Sequence, residues 1–250
     1  MNASPENDQH SLHATVERVR AEFPFEQNPY FRALSDGTFE HGDFVATQIQ
    51  FYYAVVFFSR PMAAVAAKIP SASLRVEVLR NVWEEHGEGA SPRMHGETFK
   101  VLLERLGGLD AESIDRTALW PELRAFNTAL IGCCVLDDWE VGTACLGMIE
   151  RMFVDISAFL GSKIVERQWL MQDDLVHYDV HETLDVRHSD DFFQVIQHVW
   201  DRSPSDRYVV EQGLQLGAYL FDQLYRGLYA ARRRRVDAPS RFPQERVYAG

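Results

Sequence analysis

The strongest constraint on this chain is its periodicity. Between residues 11 and 234 apolar side chains recur at intervals of three and four, and no stretch alternates apolar with polar around a hairpin turn. Such a chain can bury its apolar stripes only by packing helix on helix, so the pattern predicts an all-α fold. Helices are expected over residues 11–23, 28–34, 41–69, 71–85, 92–106, 122–135, 138–166, 174–200 and 205–234. Ser11, Asp137-Asp138, Ser203-Pro204-Ser205 and Gly107-Gly108 supply the cap and turn signals between them. Pro61 is expected to kink or divide the long third segment, because it removes an internal hydrogen bond and crowds the preceding turn.

No repeat or low-complexity linker splits the 250 residues, so a single bundle of about seven or eight helices over residues 11–236 is expected. A polar N-terminus (residues 1–10) precedes it and a loose tail (237–250) follows. A net charge of -12 argues against nucleic acid, whose phosphates call for clustered Lys and Arg. The one basic run, residues 232–235, follows a helix, where cations meet the negative end of its dipole. Residues 1–10 lack a secretory pattern, and the most apolar stretch, residues 52–67, is broken by Ser59, Arg60 and Pro61, which argues against a membrane span. Cys133, Cys134 and Cys145 form no C-x-x-C pair and suit buried, reduced thiols of a cytoplasmic protein.

Chemistry concentrates in residues 177–188. Offsets of four and seven place His181, Asp185 and His188 on one helix face, with His177 a turn earlier. Two histidines and a carboxylate on one face suit iron, manganese or zinc, and with open positions they suit iron that meets oxygen. A solvated polar face is the plain alternative. Glu150 sits in the apolar run Cys145-Leu146-Gly147-Met148-Ile149-Glu150, where a carboxylate needs a partner, either a metal or an ion pair with Arg151. The Glu84-Glu85-His86-Gly87-Glu88-Gly89 stretch and His95 offer a third source. Glycines and Pro92 interrupt the helix there, so periodicity does not choose among Glu84, Glu85 and Glu88. Carboxylates and histidines spread over several helices are the donor set of dinuclear sites in bundles.

In order and spacing these residues resemble the heme-oxygenase-like diiron oxidases, a superfamily that includes thiaminase-like and pyrroloquinoline-quinone-synthase-like proteins and a chlamydial death-domain-associated protein. The family pattern is a Glu, a His seven to ten residues on, a second Glu in a later helix, then H-x3-D-x2-H. Glu85, His95, Glu150, His181, Asp185 and His188 fill it in order. The likeness spans residues 81–106 and 145–188, with Glu88, Glu182 and His177 as further ligand candidates. It implies a heme-oxygenase-like bundle holding two Fe(II) ions, or a manganese–iron pair, with Glu150 bridging. It further implies O2 as co-substrate in the oxidation of a small amine or amino-acid-like metabolite, by N-oxygenation or carbon–carbon cleavage. An external electron donor and a homodimer fit the same picture. Pocket walls are expected from the aromatic helix that carries Phe51, Tyr52, Tyr53, Phe57 and Phe58, with Tyr53, Phe57 and Arg60 as the expected pocket residues. The alternatives are a metal-free thiaminase-like hydrolase or cofactorless quinone-forming oxidase of the same fold, and a helical interaction protein without catalysis.

Overall fold

The computed structural model describes residues 11–234, apart from the side chains of Val176 and of residues 179–186. Every regular element among them is helical. The α-helices are α1 (Leu12–Glu22), α2 (Pro29–Asp36), α3 (His41–Lys68), α4 (Ala72–Glu85), α5 (His95–Gly107), α6 (Ala111–Asp115), α7 (Pro121–Leu136), α8 (Trp139–Glu166), α9 (Val176–Trp200) and α10 (Pro204–Ala231). The expected all-α bundle therefore stands, with ten α-helices among the described residues instead of seven or eight. The expectations for residues 1–10 and 235–250 lie outside the described residues.

Local chemistry sets the helix ends. Ser11 caps α1 by accepting from the Ala14 N–H, Asn28 caps α2 ahead of Pro29 at its first turn, and Ser203 caps α10 ahead of Pro204. Asp110 caps the five-residue α6, a helix too short to leave a periodic signal. Pro61 lies buried inside α3 without dividing it. Helix packing from α4, α5, α7 and α8 against α3 outweighs the one bond the proline removes.

The interior helix is α8, apolar on nearly every side and packed along α9 and α10. Glycines set those distances. A Cβ on Gly147 would come within 2.9 Å of the Phe192 Cβ, so only glycine lets α8 approach α9 this closely. Gly213 and Gly217 bring α10 against the α8 backbone at Val141 and Cys145 in the same way. Of the described helices, α3 alone is long and apolar enough to cross a membrane. Half of its most apolar window is buried inside the bundle. The basic run docks onto acids: Arg233 reaches Asp43 at 3.3 Å and Arg234 forms a fork with Glu122 at 2.7 and 2.9 Å.

Candidate metal centre

The turn after α4 decides which glutamate faces inward. Gly87, Glu88 and Gly89 all take left-handed backbone angles, with φ of 61°, 54° and 83°. A Cβ on Gly87 would sit 2.6 Å from the Arg93 carbonyl carbon, so glycine is required where the chain doubles back. The reversal leaves Glu85 as the last residue of α4 and His95 as the first of α5. Their Oε1 and Nδ1 atoms stand 2.9 Å apart, with both side chains buried. Because no single helix joins them, face arithmetic across residues 84–95 does not apply. Glu88 is half-exposed and pairs with Arg93 at 3.2 Å, which removes it from the cluster.

Glu150 comes from the middle of α8 and His188 from α9, across the seam that Gly147 permits. One oxygen or nitrogen each from Glu85, Glu150 and His188 lie within 4.8 Å of one another, all three side chains buried. The His188 Nδ1 is 4.0 Å from Glu150 Oε1 and has no hydrogen-bond partner among the described residues. Arg151 turns away to Glu17 at 3.1 Å and Asp155 at 3.4 Å, so the ion pair weighed for Glu150 goes elsewhere. His95 lies beside two of the α9 histidines, with ring centroids 6.4 Å from His177 and 6.3 Å from His188. His177 is fully buried and bonded through Nδ1 to the Thr98 hydroxyl at 3.0 Å. The side chains of His181, Glu182 and Asp185 lie outside those described, although α9 runs through all three positions.

This donor set fits a transition metal. Two carboxylates and an imidazole nitrogen converge in a buried place, and the buried Nδ1 is left for a ligand to satisfy. The 2.9 Å between Glu85 and His95 is also near the ~3 Å edge between two atoms bonded at right angles to one ion at about 2.1 Å.

The cluster opens onto a mainly apolar cavity. Its walls are Phe51, Ala54, Val55 and Phe58 of α3, Phe126 of α7, Ile149 and Phe153 of α8 and Phe221 of α10. Glu85, His95 and Glu150 supply the polar end. Tyr53, Phe57 and Arg60 do not line it, which corrects the expected pocket. At about 100° per residue they lie roughly 120–180° around α3 from Phe51. Tyr53 instead donates to the Ile114 carbonyl at 2.7 Å, and the exposed Arg60 lies over the Phe57 ring at 5.5 Å. The signal that would have found the true wall is the 51, 55, 58 spacing of the same helix.

Sequence comparison matches residues 46–222 to a family described as iron-containing redox enzymes. No curated protein matches the chain. Among solved structures, a CADD-like protein of unknown function from Nostoc punctiforme superposes with a TM-score of 0.74 at 12% identity, covering 91% of this chain and 98% of that one. A TenA homologue from Pseudomonas syringae gives 0.67 at 15% identity, covering 87% and 90%. A domain of unknown function with a heme-oxygenase-like fold from Shewanella denitrificans gives 0.67 at 12% identity, covering 92% and 94%. At such identities the likeness establishes the heme-oxygenase-like fold.

Proposed function

The chain belongs to the iron-containing redox enzyme family, and we propose that it is a non-heme diiron oxidase that uses O2 to oxidise a small substrate with one polar head and an apolar body. The head in first place is an amine, as in N-oxygenation or oxidative carbon–carbon cleavage. The observation that carries this reading is the convergence of Glu85, Glu150 and His188 at the polar end of an otherwise apolar cavity.

The irons would be held by Glu85, His95, Glu150, His181, Asp185 and His188, and as ferrous ions they would supply the electrons that reduce dioxygen. The chain supplies the rest. Buried carboxylates offset the charge of the ions, and α8 and α9, locked together at Gly147, fix donors from separate helices in one place. Phe51, Phe58, Phe126, Phe153 and Phe221 exclude water and hold the substrate body. A second charged group on the substrate would be buried without a counter-charge among the described wall residues, which disfavours a free zwitterionic amino acid.

A thiaminase-like hydrolase would need a reactive thiol in the cavity. Cys133, Cys134 and Cys145 are buried where α7 meets α8 and none lines the cavity, so none stands where a substrate in it would meet a thiol. The oxidase reading is the better supported. An oxygen electrode tests it: iron-loaded protein should consume O2 faster when an apolar-bodied amine is added and more slowly with free amino acids. Uptake that is the same with and without iron would sink the proposal.

A further inference from the structure

We propose that Glu84 is a positioning residue, which orients His188 so that Nδ1 is the nitrogen offered to the metal; this rests on the diiron reading above. A neutral imidazole has one N–H donor and one acceptor nitrogen, and a partner on one side determines which nitrogen keeps the lone pair. His188 is fully buried, and its Nε2 lies 2.9 Å from Glu84 Oε2. A carboxylate accepts only, so Nε2 carries the proton and donates it. The lone pair then belongs to Nδ1, the atom that faces Glu150 and lacks a hydrogen-bond partner among the described residues.

The neighbours reinforce this assignment. Asn81, one turn earlier on α4, donates through Nδ2 to the His188 backbone carbonyl at 3.3 Å, so one helix holds both the ring and the backbone of His188. Consecutive residues on a helix point about 100° apart. Glu85 therefore turns into the donor cluster while Glu84 reaches the outer edge of the histidine that completes it. Arg187 also contacts Glu84, and its half-exposed side chain offers the competing explanation, a surface ion pair with no bearing on the metal.

Anaerobic titration with ferrous iron separates the two. Glu84→Ala should weaken one iron site by about 10–100-fold, the usual effect of losing a hydrogen-bond partner behind a ligand. Glu84→Gln keeps an oxygen that accepts from Nε2–H and should restore most of the affinity, which also covers the case in which the alanine variant folds poorly. Arg187→Ala should bind iron as wild type does. In zinc-loaded protein, histidine-ring 1H–15N spectra should show the His188 proton on Nε2. Equal iron affinity in wild type and Glu84→Ala, or a His188 proton on Nδ1 in the zinc form, overturns the positioning role alone. Wild type that binds no iron overturns the diiron reading and this one with it.

Discussion

Gln48 shows how a single side chain can hold the ligand helix in place. Its amide donates through Nε2 to the Tyr30 hydroxyl at 2.7 Å and accepts through Oε1 from the Tyr178 hydroxyl at 2.6 Å, tying α2 and α3 to the start of α9. All three side chains are buried, so Gln48→Leu takes the acceptor from the Tyr178 hydroxyl and leaves the Tyr30 hydroxyl with Thr47 alone. It should cost about 1–3 kcal/mol in chemical denaturation. Arg60→Ala, on the exposed side of α3, should stay within about 0.5 kcal/mol. Nothing in sequence spacing announces the Gln48 network, since a glutamine on an aromatic helix is compatible with a solvated position. The scarce residues were easier to read. Glu150 stands out because its neighbours are apolar on every side. Glu84, Glu85 and Glu88 were indistinguishable, since the glycine-dependent reversal at 87–89 sets their directions and helix periodicity does not reach across it.

At the scale of elements, the centre depends on the α8–α9 seam. Gly147→Ala would push its new methyl into Phe192 and Phe193, and Gly147 lies one turn before Glu150. The variant should therefore lose iron affinity as well as about 1–3 kcal/mol of stability, both measurable on one preparation. The other seam of interest fastens α1. Glu17 pairs with Arg20 and Arg151, and Asp155 pairs with the same two arginines. Burial raises the Glu17 pKa, but hydrogen bonds and charge from Arg20 and Arg151 outweigh it and leave the pKa below its ordinary 4.5. A depressed carboxylate stabilises the fold above its unfolded pKa and stops doing so as the pH falls through its folded value. Thermal melts of wild type and Glu17→Gln should therefore differ at pH 6 and draw together as the pH falls through the lowered folded value; a gap that stays constant down the acid series would contradict the assignment. Helix starts are legible at Ser11, Asn28 and Ser203, where the capping residue precedes a longer periodic stretch, and not at Asp110, whose helix is too short to leave one. The undivided α3 is not legible either, because what overrides Pro61 is contact with helices far away in sequence.

Over the whole molecule, the bundle gathers donors from α4, α5, α8 and α9 at one end of an aromatic cavity. The order of those donors was readable because charged and imidazole side chains on apolar faces are costly unless something binds them. The aromatic helix expected to wall the cavity does so, through Phe51, Val55 and Phe58 on its inward stripe, whereas Tyr53, Phe57 and Arg60 lie off that stripe. The central claim is that the buried cluster is a dinuclear iron site, and iron counted per chain after anaerobic loading tests it most directly. Wild type should hold two irons, and both Glu150→Ala and His188→Ala should lose at least one. Fewer than one iron per wild-type chain, unchanged by His188→Ala, would contradict it.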